Sequence, residues 1–304
     1  NPRNGAVLLN LGNAAVDVGE PEIAIGAYRQ LVALQPDHLD ARKSLARLYQ
    51  EHSEAALDRA EFEFICERDR TDADPYNRLG VLIAESGDHK SAVEKLTIAA
   101  SLAPTDPDIR INFANVLALN FDIDQATSLY EQALTEQPND PEIRCNLGNA
   151  LSRVGNRDTA AQQYRTVITS HPNHADAHAS LANNLLANGK YTEGWQHYLF
   201  RPSTQSMPEE LHRTQLPRDL SGQSVGVIAD QGLGDQVFFG RFLPCLVARG
   251  AETVYRPEAR LTEMLSRAGI ADKIVPETAE LHTDYMVSTG DLPFLLQDDG
   301  VETP

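Results

Sequence analysis

Residues 141–174 read "PEIRCNLGNALSRVGNRDTAAQQYRTVITSHPNH" and hold the pattern that decides the fold. Apolar side chains recur three and four residues apart in both halves of this stretch, which is typical of two amphipathic helices. Gly155 separates the halves and Pro172 lies near the end, and both residue types interrupt helices. The stretch therefore predicts two short helices joined by a turn.

The same pattern returns every 34 residues along the first two hundred residues. Prolines recur at this spacing or a multiple of it, at Pro2, Pro36, Pro104, Pro138 and Pro172. A large apolar residue followed by glycine or alanine recurs in register at 11–12, 45–46, 79–80, 113–114, 147–148 and 181–182. The repetition predicts six helix-turn-helix units, at 5–38, 39–72, 73–106, 107–140, 141–174 and 175–201.

Two further columns predict how the helices of each unit pack. A small residue recurs on the second helix, at Ala24, Ala92, Ala126, Ala160 and Gly194. A larger residue follows it, at Tyr28, Phe62, Leu96, Tyr130, Tyr164 and Tyr198. Small residues let two helices approach closely. The second unit departs from the pattern, because Asp58 occupies the small column and Arg70 the proline column, and we expect a bend or helices lengthened into one another there.

This 34-residue pattern resembles the tetratricopeptide repeat (TPR) over residues 5–201. The resemblance implies an all-α superhelical solenoid at 1–201 whose concave wall is lined by the first helices and binds a protein or peptide. Pro2 falls in the closing column of a preceding unit, so we expect the chain to start inside a longer array. An array end without a polar capping helix would allow self-association.

Asparagine recurs on the first helices, at Asn10, Asn13, Asn112, Asn115, Asn146, Asn149 and Asn183. Residues three apart share a helix face, and an amide both donates and accepts hydrogen bonds, so this ladder is predicted to grip peptide backbone. In this the array resembles the TPR region of O-GlcNAc transferase, whose asparagine ladder holds extended protein substrates. The alternative is that the asparagines only belong to the repeat consensus. Repeats two and three have Arg47, Arg78 and Val81 instead.

Composition narrows the class of partner and the compartment. The chain of 304 residues has 44 acidic and 26 basic residues, a net charge of -18, which disfavours nucleic acid and anionic lipid as partners. No window approaches eighteen apolar residues, so no membrane span is predicted. Three cysteines without metal or redox spacing are typical of a reducing compartment, and we expect a cytoplasmic protein.

Three histidines near the start of the sixth repeat are the only metal candidates that the sequence suggests. His174 and His178 are four residues apart and His171 lies nearby, as ligands on one helix face would. The turn between repeats accounts for the first two positions and a packed column for His178. We therefore predict no metal site.

After residue 201 the repeat register ends, and residues 202–222 are predicted to form a linker. Strand patterns then alternate with helix patterns, with strands at 224–229, 252–257, 273–276 and 285–289 and helices at 235–248 and 259–269. This order predicts a parallel sheet covered on both faces, a partial Rossmann-like α/β lobe at 223–304. Trp195, on the last repeat helix, is predicted to pack the array against this lobe.

A glycine-rich loop follows the first predicted strand. Gly232 and Gly234 would lie at the carboxyl edge of the sheet, where ligands bind and where glycine lets backbone approach them closely. Val237 occupies the third glycine position, so this is not a dinucleotide-binding fingerprint. Asp235, at the helix start, is predicted either to cap the helix or to act as a general base.

The segments "WQHYLFR" (195–201) and "QGLGDQVFFGRFLPCLVARGAETV" (231–254) resemble bacterial proteins in which TPR repeats precede a GT-B glycosyltransferase domain related to the heptosyltransferases. The resemblance implies a sugar transferase in which Asp235 deprotonates the acceptor. It also implies an acceptor cleft shaped by Gln231, Gly232, Leu233 and Gly234, and a nucleotide-sugar donor held by a second lobe.

Only about eighty residues follow the first strand, roughly half of one lobe. We therefore expect a fragment of a longer enzyme that is inactive alone and binds no cofactor itself. The alternative is a non-enzymatic peptide-binding scaffold with a vestigial Rossmann-like cap, in which Asp235 caps a helix and the loop glycines serve a tight turn.

Overall fold

The computed structural model describes residues 4–52, 55–205, 207, 211, 215–230 and 232–297. The chain divides into two compact units, residues 1–143 and 144–304. The predicted boundary between array and lobe at residue 201 stays a prediction.

The first unit is built from consecutive helix pairs, one pair for each predicted repeat. Its helices are α1 (Gly5–Asp17), α2 (Pro21–Leu34), α3 (Leu39–Glu51), α4 (Ala55–Arg68), α5 (Ala73–Glu85), α6 (His89–Leu102), α7 (Pro107–Leu119) and α8 (Ile123–Glu136). Helix α9 (Pro141–Arg153) begins at the end of this unit and continues into the next. The predicted helix-turn-helix repetition is confirmed.

The second repeat does not lengthen its last helix into the third repeat, and the alternative, a bend, stays a prediction. Helix α4 ends at Arg68 and α5 begins at Ala73. The Asp69 carboxylate accepts hydrogen bonds from the Thr71 amide at 2.9 Å and the Thr71 hydroxyl at 2.7 Å. Asp72 then caps α5. These side chains form a turn that ends the helix without a proline.

In the first and third repeats, the glycine of the first helix forms a notch for the large residue of the second helix. A Cβ atom added at Gly12 would lie 2.4 Å from Cε1 of Tyr28, and one at Gly80 would lie 2.6 Å from Cγ of Leu96. Both contacts are far shorter than van der Waals distance. The predicted close approach of the two helices therefore depends on these glycines.

The turn between the two helices of a repeat requires a left-handed backbone. Gly19 and Gly87 adopt φ angles of 75° and 92° there. Phe121 occupies the same position in the fourth repeat with φ 67°. This phenylalanine is 72% exposed. A side chain in this region of φ is strained, since Cβ approaches the following carbonyl oxygen.

Large apolar residues are exposed on the first helix pair. They are Val7, Leu11, Val18 and Ile23. Val7 and Leu11 lie in α1, Val18 is the C-cap of α1, and Ile23 lies in α2, all at the start of the described part of the array. The predicted self-association at this end stays a prediction.

The second unit continues the repeats and then forms a sheet. Its helices before the sheet are α10 (Arg157–Ser170), α11 (Ala175–Ala187), α12 (Tyr191–Tyr198) and the short α13 (Pro202–Gln205). A Cβ at Gly148 would lie 2.6 Å from Cε1 of Tyr164, so the fifth repeat has the same notch.

The sheet has four parallel strands in the order β3-β2-β1-β4. Its elements in chain order are β1 (Ser224–Ile228), α14 (Leu233–Gly240), α15 (Leu243–Ala248), β2 (Glu252–Arg256), α16 (Thr262–Ala268), β3 (Lys273–Ile274), β4 (Tyr285–Ser288) and α17 (Leu292–Leu295). Three successive residues of β1 are buried, so both faces of this strand are covered. A small parallel sheet is thus confirmed.

The predicted extent of one helix in this unit was wrong. The single helix expected at 235–248 is two helices, α14 and α15, with a break at Arg241 and Phe242. Pro244 explains the break, because a proline inside a helix removes one hydrogen bond and its ring clashes with the carbonyl four residues earlier.

The core of the second unit joins the last repeat to the sheet. The Trp195 ring lies 6.1 Å from that of Phe239 in α14, and both side chains are buried. Leu220, from the predicted linker at 202–222, is fully buried in the same core. Part of that linker, including 208–210 and 212–214, lies outside the described residues. The predicted packing role of Trp195 is confirmed.

Candidate functional site

Two asparagines of the first unit are bonded inside their own repeat. The Tyr28 hydroxyl donates to Oδ1 of Asn13 at 2.7 Å, and the Tyr130 hydroxyl donates to Oδ1 of Asn115 at 2.6 Å. Each bond joins the second helix of a repeat to the first. These asparagines therefore contribute to packing, and the bond fixes the plane of each amide.

A third asparagine of this unit bonds to the preceding repeat. The Asn112 amide donates to Oδ1 of Asn77 at 3.1 Å, and Asn77 is buried. Asn112 in α7 is thereby held by α5, whereas Asn10 is exposed on α1. Asn77 was missed by sequence reasoning, because no other repeat has asparagine in its column.

In the second unit, two of the predicted ladder residues lie at one pocket. The Tyr164 hydroxyl donates to Oδ1 of Asn149 at 2.7 Å, and Asn183 is exposed on α11. A pocket of about 290 Å³ lies at Asn149 and Asn183. It is slightly smaller than a pocket of about 320 Å³ in the first unit. The smaller pocket is lined by Asn149, Ser152, Arg153, Tyr164, Ser180, Asn183 and Asn184. Asn146 is half-buried on α9 and is not part of this lining.

Asn184 is a residue of this pocket that sequence reasoning missed. It is buried, and its amide donates to Oγ of Ser152 at 3.0 Å, which links α11 to α9. The corresponding position in the fifth repeat is Ala150. This departure from the column was the only available signal in the sequence.

The loop after β1 begins α14 earlier than predicted. Gly232 is the N-cap with an extended backbone, φ -61° and ψ 168°, and the helix starts at Leu233. Asp235 is therefore the third helical residue, two positions after the helix start, and is exposed. The prediction that Asp235 caps the helix was wrong. Gln231, also predicted for this site, lies outside the described residues.

The role of the loop glycines in a tight turn stays a prediction, because the loop includes Gln231, which lies outside the described residues. Neither Gly232 nor Gly234 has a positive φ. A Cβ at Gly234 would meet no described atom within 4 Å, and one at Gly232 would meet only Oδ2 of Asp235 at 3.8 Å. Neither backbone conformation nor packing among the described residues requires glycine at these two positions.

A buried ion cluster lies beside this loop. The Arg201 guanidinium donates to Asp230 through Nε at 3.0 Å and also through Nη2. It donates to Oδ1 of Asp291 at 2.7 Å, to Oγ of Ser288 at 2.8 Å and to the Tyr198 carbonyl at 3.0 Å. Arg201 is 3% exposed. The cluster thus joins the end of the repeats to the carboxyl ends of β1 and β4.

The two carboxylates of the cluster differ in their hydrogen bonds. Oδ1 of Asp230 also accepts from the Thr289 hydroxyl at 2.9 Å and the Gly290 amide at 3.1 Å. Burial alone would raise the pKa of Asp230, but the Arg201 charge and these bonds hold it below the ordinary value. Burial raises the pKa of Asp291, which the Arg201 charge only partly offsets. Asp230 is thus the firmly ionised partner, and it begins the glycine loop.

The histidines of the sixth repeat have packing roles. Nδ1 of His174 accepts from the Ala177 amide at 3.2 Å and caps α11. Nε2 of His178 lies 3.0 Å from the Pro172 carbonyl, and its Nδ1 lies 2.9 Å from Nδ1 of His197. Burial lowers the pKa of His178. Within the described ranges, no group of three or more histidine, cysteine, aspartate or glutamate side chains is arranged to hold a metal ion.

None of the helices described here has both the length and the apolar character needed to cross a membrane.

Family profiles identify the repeats. Residues 9–73 and 145–199 match one tetratricopeptide repeat profile, and residues 84–144 match another. The chain is therefore a tetratricopeptide repeat protein over these residues, built from protein-interaction repeats. No curated protein sequence matches the chain.

Solved structures share the repeat fold. YrrB, described as a TPR protein with an unusual peptide-binding site, is 22% identical, covers 58% of this chain and 91% of its own, with a TM-score of 0.54. PilW, described as a widely conserved type IV pilus biogenesis factor, is 14% identical with coverages of 67% and 95% and a TM-score of 0.56. A TPR protein from Parabacteroides merdae is 16% identical with coverages of 70% and 82% and a TM-score of 0.51. These similarities show the fold alone.

Proposed function

We propose that this protein binds an extended segment of a partner protein at the amide wall, the surface of α9 and α11 that carries Asn146, Asn149 and Asn183. The observation that carries the proposal is the pocket of about 290 Å³ lined by both Asn149 and Asn183. The asparagines of the first unit, in α1 and α7, would bind in the same way within their own repeats.

The chemistry of the amide wall suits peptide backbone. The Tyr164 bond occupies Oδ1 of Asn149 and leaves the amide nitrogen of this side chain as a donor. Asn183 is exposed and offers both a donor and an acceptor. Such a pair can satisfy a peptide N–H and C=O without selecting a side chain. The peptide-binding site named for YrrB, which has the same fold, supports this function by analogy.

A peptide-library selection tests this proposal. The selected peptides should bind Asn183→Ala about fivefold or more weakly than the wild type, since a net hydrogen bond contributes about 1 kcal/mol. Asn173→Ala is the matched control, because Asn173 is an exposed asparagine in the turn before α11. Equal affinities for all three proteins would contradict binding at the amide wall.

A second candidate function rests on the loop after β1. Gly232 and Gly234 leave open space at the carboxyl edge of the sheet, where a ligand can approach the backbone, and Asp235 is exposed beside them. The strand order β3-β2-β1-β4 matches the first half of doubly wound nucleotide-binding sheets. These features support a Rossmann-like lobe of GT-B type.

In this candidate function the full-length protein transfers a sugar from a nucleotide-sugar to an acceptor hydroxyl. Asp235 takes the hydroxyl proton as the acceptor oxygen bonds to the anomeric carbon, and the nucleoside diphosphate leaves. Gln231, Gly232, Leu233 and Gly234 shape the acceptor cleft, and the repeats present a protein substrate.

Turnover of a nucleotide-sugar panel by the full-length gene product tests this candidate. Asp235→Asn should lower kcat at least a hundredfold, the ordinary contribution of a general base. Glu280→Gln, at an exposed acidic residue of the loop between β3 and β4, should leave turnover unchanged. Turnover that is insensitive to Asp235→Asn, or no turnover with any donor, would remove the candidate.

A further inference from the structure

The second repeat places a carboxylate where four of the other repeats have the methyl group of alanine and the sixth has Gly194. Ala24, Ala92 and Ala126, in the same column, are 0% exposed. Asp58 is equally enclosed at 1% exposure. The column exists so that helices can approach closely, and an aspartate there must bury two oxygen atoms.

One of these oxygens has no compensation. Oδ1 of Asp58 is buried and has no hydrogen-bond partner among the described residues. No ion pair to Asp58 is formed within the described part of the chain, where the adjacent Arg59 pairs with Glu63 at 2.9 Å. Burial also raises the pKa of Asp58. An unpaired buried acceptor is costly to folding, so an occupant that supplies a donor would remove this cost.

Asp58 is one of the lining residues of a pocket that has room for such an occupant. Its volume is about 320 Å³, and it is lined by Gln50, Asp58, Phe62, Arg78, Val81, Leu82 and Glu85. The lining comes from α3, α4 and α5, so the pocket lies between the second and third repeats. The lining includes Arg78 and Val81, which occupy the columns of the ladder asparagines in the third repeat.

The lining combines apolar walls with acidic groups. Phe62, Val81 and Leu82 can pack against an aliphatic chain, and Asp58 and Glu85 are the acidic groups. The one cation of the lining, Arg78, lies 3.6 Å from Asp74 in an ion pair outside the pocket. An apolar stem that ends in a positive charge matches this arrangement.

We propose that this pocket receives a lysine or arginine side chain of a peptide bound by the second and third repeats, with the cation paired to Asp58 and the stem packed on Phe62 and Val81. The inference rests on the proposed function, binding of an extended peptide by the repeats. It adds a basic residue as the feature by which the second and third repeats select that peptide.

Nuclear magnetic resonance with two short peptides tests the pocket directly. The probes are acetyl-Gly-Lys-Gly-amide and acetyl-Gly-norleucine-Gly-amide, which differ in the ammonium group. The lysine peptide should shift the Asp58 carboxyl resonance saturably and bind at least fivefold more tightly than the norleucine peptide. Equal binding of the two peptides, or no lysine-dependent shift at the highest soluble concentration, would overturn the proposal.

Two variants guard against misfolding and separate this inference from the proposed function. Asp58→Ala restores the residue of the other repeats, so it should raise Tm while abolishing the preference for lysine. Asp58→Asn keeps the shape and should also abolish it. A preference that survives in both variants overturns the inference. Asn173→Ala, which lies outside both sites, should leave the lysine preference unchanged. A failure of the amide wall is read from the peptide-library selection, separately from the binding of these two short peptides to the pocket.

Discussion

The fifth and second repeats share one two-helix frame but fill its columns with different chemistry. In the fifth repeat, Tyr164 bonds to Asn149 across the helix pair. In the second repeat, the same columns hold Phe62 and Arg47, so neither the hydroxyl nor the amide is present. The third repeat, with Leu96 and Val81, lacks both as well. Tyrosine and asparagine therefore occur together for a packing reason, which explains part of the asparagine ladder.

Because of this difference, only some of the asparagines support the proposal that the repeats bind a peptide. Asn13, Asn115 and Asn149 are accounted for by their tyrosines, and Asn112 by its bond to Asn77. The second repeat, without these bonds, instead has a buried carboxylate beside a pocket. Binding is thus argued from Asn183, from the amide nitrogen of Asn149 beside it, and from Asp58, whose Oδ1 has no hydrogen-bond partner among the described residues.

The largest effect is expected where a contact occurs once and is not repeated. Arg201→Ala should lower the free energy of unfolding of the second unit by about 3–5 kcal/mol, because it leaves Asp230 and Asp291 buried without a counter-charge. Urea unfolding measures this loss. Arg267→Ala, at an exposed ion pair with Glu263, should cost about 1 kcal/mol or less. A loss below that of the control would show that the sheet does not depend on the cluster.

The helix notch gives the next largest effect. Gly148→Ala should destabilise by about 1–3 kcal/mol, since the added methyl overlaps the Tyr164 ring. Gly26→Ala is the matched control: this helical glycine has open space, and alanine there should stabilise by up to about 1 kcal/mol. Thermal unfolding of both variants measures the contrast. Stabilisation by Gly148→Ala would contradict the claim that glycine is required here for the close packing of the two helices.

Removal of one hydroxyl makes the fifth repeat resemble the second. Tyr164→Phe should lower stability by about 0.5–1.5 kcal/mol through loss of the Asn149 bond. In an Asn149→Ala background the same change should have a smaller effect, because the partner is already gone. Equal effects in the two backgrounds would mean that the tyrosine and asparagine are not coupled.

The smallest change concerns the strained turn of the fourth repeat. Phe121→Gly should stabilise by about 0.5–1 kcal/mol, since glycine accepts φ 67° without strain but loses more chain entropy on folding. Gly155→Ala, at φ 80°, should destabilise by about 1 kcal/mol. Chemical denaturation would detect both shifts, and shifts of the opposite sign would contradict the strain.

The repeats could be predicted from sequence because their signals are local and recur every 34 residues. The break at Pro244 was not predicted: a single helix was expected at 235–248, although a proline inside it disfavours one. The cap was misassigned because α14 starts two residues before Asp235, an offset that sequence does not resolve.

The Arg201 cluster could not be predicted, because its partners are Asp230 and Asp291, 29 and 90 residues away. Only the folded sheet brings the ends of β1 and β4 to one arginine. The Tyr164–Asn149 bond was missed for a related reason, since it depends on how two helices are rotated against each other.

Hydrogen bonding between Asn183 and peptide backbone is the central claim, and a double-mutant cycle tests it most directly. Each backbone nitrogen of a selected peptide is methylated in turn, and Kd is measured for the wild type and for Asn183→Ala. We predict that one methylation weakens binding to the wild type about fivefold and binding to Asn183→Ala hardly at all. Methylation effects of the same size in both proteins, at every position, would contradict the claim.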